Sequence, residues 1–198
     1  AQAAAAAKGV HVCGVEVYAE SGVYPWPRAS AAHLTTFGLR PPETQFRPLR
    51  TVCAAIKYFG RHRPDVVFLP SYIPWSLVLN LVARCFGART VMMNDTHRGT
   101  TMQGRLRMAL KRRIIPTFDA ALVAGTPQVE FFAEMGIIRD RIYLGHGVVD
   151  NAHFQSVADQ TRAADACVRL DLGLPSRYFL SLGRLVPKKN VALVLRAY

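Results

Sequence analysis

Residues 183–190, GRLVPKKN, gather the groups best suited to hold an anion. Arg184 offers a planar fork of donors and Lys189 a compact point charge. The run lies between an apolar segment that reads as a buried strand (RYFLSLG, 177–183) and a helix start capped by Asn190. In open α/β sheets ligands gather at the carboxyl ends of strands, and a helix N-terminus there adds free N–H groups and a positive dipole. Together these features suit a diphosphate, and the same residues read equally well as a solvated basic loop. A second candidate is Asn94-Asp95, directly after the strand-like RTVMM. Asp95 could orient a ligand by accepting a hydrogen bond from it. An N-cap, or a structural partner for Arg98 or Arg89, is the plainer reading. His97 and His146 are lone loop histidines, and Glu16 and Glu20 close an early strand as a polar edge.

The elements that would position these groups alternate in type. VHVCGVEVY (10–18) reads as a strand, after an alanine tract resembling the end of a helix. A turn-rich loop (21–27) and a short strand around HLTTFGL follow. In PLRTVCAAIKYFGRH the spacing of Leu49, Val52, Ile56 and Phe59 predicts a helix face, stopped by Pro64. DVVFLP (65–70) is a continuous apolar run of the kind buried on both faces of a parallel sheet. Pro74 opens a helix that Gly87 closes. RTVMMN (89–94) is a strand and GRLRMALKRRII (104–115) a basic helix whose Leu106, Leu110 and Ile114 form a stripe expected to pack on the sheet. DAALVAG (119–125) is a strand. Thr126 caps a helix with Pro127 in its first turn and Gly136 at its end, and RIYL (141–144) is again a strand. Strands alternating with helices over short links imply a doubly wound parallel α/β sheet, covered on both faces. The expected organisation is a Rossmann-like domain over 1–149, a connection with one helix over 150–176, and the start of a second Rossmann-like domain over 177–198. Both ends look clipped.

The 198 residues carry a net charge of +12 and are 51% hydrophobic, which excludes a disordered basic tail. The charge is local. Residues 39–63 hold six basic residues against Glu43, and residues 84–113 hold eight against Asp95, which accounts for the whole excess. Five of these lie in the basic helix: Arg105, Arg107, Lys111, Arg112 and Arg113. Such clusters point to an anionic partner such as phosphate, a membrane surface or nucleic acid. No regular interleaving of aromatics with basic residues supports nucleic acid. The four cysteines form no Cys-x-x-Cys pair, so no zinc site is suggested, and buried reduced thiols are expected. No signal peptide or membrane span is legible, which implies a cytoplasmic protein, at most peripheral on the inner face of the membrane.

FLSLGRLVPKKNVALVLRAY resembles the start of the nucleotide-sugar domain of the group 1 (family 4) glycosyltransferases, which have the GT-B fold. That family shows a strand, Gly-Arg-Leu, a short spacer, Lys and Gly, then a helix. Gly183, Arg184 and Lys189 match, and Asn190 stands where Gly is usual. DAALVAGTPQVEFFAEMGIIRDRIYLGHGVVDNAHF is similar to the family's approach to the interdomain crossing. GVEVYAESGVYPW and RPDVVFLPSYIPWSLVLNLVARCFGARTVMMNDT resemble its acceptor domain.

The resemblance implies a retaining, metal-independent glycosyltransferase that uses a nucleotide-diphosphate sugar and needs no cofactor. Gly183, Arg184 and Lys189 would bind the donor diphosphate, and a sugar or lipid-linked acceptor would lie opposite. Asp95 is the candidate catalytic residue. Many relatives carry His-Asp at 94–95; with Asn94 here, a histidine role does not carry over. The family's Gly-rich loop near the N-terminus and its pair of glutamates eight positions apart are missing, so this chain alone is expected to be inactive. Two other readings stay open: a non-catalytic basic module for anionic membrane or nucleic acid, and another GT-B-like enzyme such as a sugar-nucleotide epimerase.

Overall fold

Short apolar runs, each followed by an amphipathic segment, give strands and helices in strict alternation through most of the chain. The computed structural model describes residues 8–18, 34–39, 48–100, 104–183 and 185–198. The alanine tract and the 21–27 loop lie outside them. The chain divides into two compact units, Ala1–Val148 and Val149–Tyr198.

In the first unit, β1 (Gly14–Tyr18) and β2 (Leu34–Leu39) form a parallel pair. There follow α1 (Pro48–His62), β3 (Val66–Pro70), α2 (Pro74–Cys85), β4 (Arg89–Asn94), α3 (Arg105–Ile114), β5 (Ala120–Val123), α4 (Thr126–Glu134) and β6 (Ile142–Leu144). Strands β3 to β6 make one parallel sheet in sequence order. The unit is thus a Rossmann-like α/β fragment, a parallel sheet flanked by helices. Gly87 (φ +84°) and Gly136 (φ +106°) end α2 and α4 in the left-handed region, as expected.

Packing departs from the sequence reading in several places. One sheet face is the core: Leu69, Met92, Ala121 and Val123 are buried against Phe59, Phe131 and Phe132. The opposite face holds Val66, Phe68 and Tyr143, all exposed. The 65–70 run is therefore buried on one face among the described residues, not on two. Successive strands always step in one direction, and crossovers of a common hand then keep their helices on one side. Helix α1 is rotated from the expected stripe. Thr51, Ala55 and Phe59 point inward, while Leu49 and Ile56 are exposed. Thr126 is the first helical residue of α4, and Gly125 occupies the cap position with no side-chain bond. All four cysteines are free, as expected, but exposed; Cys53 and Cys85 lie on the outer sides of α1 and α2.

In the second unit, the expected connection carries two helices, α5 (Asn151–Ala163) and α6 (Asp165–Asp171). The Asp150 carboxylate caps α5 by accepting the His153 N–H at 2.9 Å. Helix α7 (Val191–Ala197) closes the chain. The strand expected over 177–183 is absent. Among the described residues of this unit no neighbouring strand takes its backbone hydrogen bonds, and Phe179 and Leu182 are 88% and 94% exposed. No described residue of this unit is buried.

Candidate functional site

Four parallel strands place their carboxyl ends along one edge of the first unit's sheet. There Asn94, 4% exposed, acts as a strut. Its amide donates to Ser71 Oγ at 2.9 Å, and its Oδ1 accepts the Thr96 N–H at 2.6 Å. Ser71, with φ +60°, donates its N–H to Met93 O at 2.7 Å. Asn94 thereby takes a structural position between the ends of β3 and β4.

Asp95 follows on the same edge and is exposed. Gln128 Nε2, from the first turn of α4, donates to its carbonyl at 3.0 Å. Arg98 pairs with Glu134, which also takes Arg112 at 3.1 Å, so the 95–100 loop is tied to both α3 and α4. Among the described residues the Asp95 carboxylate has no ion pair: Arg98 is held by Glu134 and Arg89 by Asp119. The two structural partners considered for Asp95 are therefore committed elsewhere. His97 Nδ1 accepts the Gly99 N–H at 3.1 Å, which places the proton of the neutral ring on Nε2. His146 donates its N–H to Val123 O at 3.1 Å, at the end of β5. Glu16 lies in β1, and Glu20 lies outside the described residues.

The opposite edge is closed by charge. Asp119 accepts from Arg84 and Arg89, each at 3.0 Å, and from the Thr90 N–H at 2.9 Å and hydroxyl at 3.2 Å. Partial burial pushes its carboxyl up, but the Thr90 N–H, the Arg89 guanidinium, the Arg84 charge and the Thr90 hydroxyl together outweigh this and hold it below the usual carboxylate range.

In the second unit, Gly183 and Lys189 are brought together. A Cβ built on Gly183 would lie 4.0 Å from Lys189 Cγ and Cδ, so the lysine stem lies over the glycine. A 3-10 turn over Pro187–Lys189 makes this return, closed by Asn190 at φ +47°, ψ +44°. Left-handed backbone is the region that Gly and Asn enter most readily, which suits Asn to this position. Its side chain makes no capping bond, contrary to expectation. Arg184 lies outside the described residues.

Helix α3 does not pack through the expected stripe. Leu106 and Leu110 are 84% and 56% exposed, whereas Met108 packs against the core and Ile115, just past the helix, is fully buried. Lys111 Nζ lies 5.8 and 5.9 Å from the ring centres of Tyr72 and Phe131, so the inward side carries a cation over two aromatic faces. Gly104, Arg105, Met108 and Arg112 line a concavity of about 520 Å3.

Among the described residues no group of three or more His, Cys, Asp or Glu could hold a metal, and no helix is long and apolar enough to cross a membrane. The residues that sequence reasoning missed are Ser71, Gln128 and Glu134. Their partners lie 23, 33 and 36 positions away, so no local spacing marks them.

No protein-family model matches the chain, and no curated protein does. Among solved structures it is similar to a UDP-N-acetylglucosamine 2-epimerase from Rickettsia bellii, with 12% identity and a TM-score of 0.47 over 71% of this chain. The chain spans 37% of that structure's length.

Proposed function

We propose that this chain is part of a metal-independent glycosyltransferase of the GT-B type, with the donor diphosphate held by Gly183, Arg184 and Lys189. The observation that carries this reading is the 183–190 turn. Lys189 folds back over Gly183, and Asn190 takes the left-handed conformation that the family's glycine would supply. When the sugar leaves, negative charge grows on the diphosphate, and Arg184 and Lys189 are the groups suited to meet it. Asp95, whose carboxylate at the carboxyl edge of β4 has no ion pair among the described residues, is the residue proposed to orient a hydroxyl of the sugar or acceptor. Helix α3 would give the protein a peripheral contact with an anionic surface, at the cytoplasmic face of a membrane.

Calorimetric titration of the chain with uridine and guanosine diphosphates tests the donor site. Replacing both cations (R184Q/K189Q) removes two charge-assisted contacts and is expected to weaken binding by about tenfold or more. Unchanged affinity would overturn the assignment. The chain alone is expected to transfer no sugar, and epimerisation of a donor without any acceptor would replace the transferase by an epimerase.

A further inference from the structure

Viewed down its axis, α3 has three sides. Met108 and Lys111 face the body of the first unit, with Ile115 continuing that side beyond the helix. Directly opposite, by the helical repeat of about 100° per residue, stand Leu106, Ala109, Leu110 and Arg113. All four are exposed. Arg105 and Arg112 flank this outward strip on the side of the concavity, and Arg107 flanks it on the other. The helix has no acidic residue. Arg112 pairs with Glu134, which also takes Arg98.

A helix kept only for solubility would not place two leucines at the centre of its solvent face between arginines. An apolar strip with cations on both borders is the arrangement of a helix lying in a lipid–water interface. Its apolar side chains enter the acyl boundary while long arginines bury their stems and keep their charges among the headgroups. We propose that α3 is an interfacial docking helix for a bilayer rich in anionic lipid, with Leu106 and Leu110 inserted and Arg105, Arg107 and Arg113 holding lipid phosphates. The occupant follows from charge complementarity: the outward arginines of a helix with no acid match a negative leaflet, and the leucines match what lies beneath its headgroups. The concavity lined by Gly104, Arg105, Met108 and Arg112 lies beside the strip, where a headgroup phosphate of an adjacent lipid would fit. This deepens the peripheral contact suggested above and does not depend on the donor chemistry.

Flotation of the full chain with vesicles of one part phosphatidylserine to two parts phosphatidylcholine is the test, with pure phosphatidylcholine vesicles alongside. Binding is expected to the anionic vesicles only. L106S/L110S changes only exposed side chains and is expected to lower the vesicle partition coefficient by about tenfold or more. R105Q/R107Q/R113Q should lower it by a similar or larger factor, at about fivefold per cation. In L110W, the indole should be quenched by brominated acyl chains. An unchanged partition of L106S/L110S, or no quenching, would overturn insertion. Equal binding to mixed-sequence DNA, competing with the vesicles and indifferent to the leucine changes, would overturn the lipid assignment. Since no nucleotide is present in this assay, its failure would leave the diphosphate titration unaffected, and the reverse holds too.

Discussion

Asp119 and Asp95 occupy opposite edges of one parallel sheet, one preceding β5 and the other following β4, and their surroundings differ completely. Asp119 is saturated by two arginines, a backbone N–H and a hydroxyl. The Asp95 carboxylate has no ion pair among the described residues, although its backbone and neighbours are held by Gln128, Asn94 and Glu134. The amino edge spends its acid on closing the fold. The carboxyl edge fixes the main chain around an acid whose carboxylate has no ion pair among the described residues. Fold geometry favours this division, because ligands meet open α/β sheets at strand carboxyl ends.

Substitution at the two positions should separate these roles. D119A is expected to lose about 2–3 kcal/mol in urea unfolding, since the fully buried Thr90 loses an acceptor and two guanidinium groups lose their partner. The comparison breaks if D95A costs as much. N94A should lose about 1–2 kcal/mol by removing two hydrogen bonds from a buried side chain; a neutral result would mean that the bracket around Asp95 is not structural.

Acid titration sharpens the same contrast. The folded Asp119 carboxyl titrates below its unfolded value, so its contribution is complete above the unfolded pKa, about 4, and is lost as pH falls through the lower folded value. D119N should flatten the stability profile in that acid range. E134Q removes two partly exposed ion pairs and should cost about 0.5–1 kcal/mol in thermal unfolding. D95A, the smallest effect, is expected to stay within about 0.5 kcal/mol.

Strands and helices of the first unit were legible because each carries its own signal: apolar runs, Pro74 and Pro127 at helix starts, Gly87 and Gly136 at their ends. Which side of a helix faces inward was less legible. In α1 the buried side includes Thr51 and Ala55, which a search for large apolar residues passes over, and in α3 the leucines turn outward while Met108 packs. The 177–183 strand failed for a different reason. Its sequence is strand-like, but a strand exists only with a partner for its backbone, and the second unit offers none. Of the candidate residues, Asp95 in the first unit and Gly183 and Lys189 in the second could be named from local pattern. Ser71, Gln128 and Glu134 could not, because tertiary pairing alone brings them there.

The strictly sequential order of β3, β4, β5 and β6 also bears on how the chain reaches its structure. Each strand pairs with the next one along the chain, and every such pairing closes fewer than thirty residues. Loop-closure entropy rises only logarithmically with length, so each of these crossovers carries a similar and moderate closure cost. The sheet can therefore grow one strand–helix unit at a time from any adjacent pair, without waiting for a distant segment to arrive.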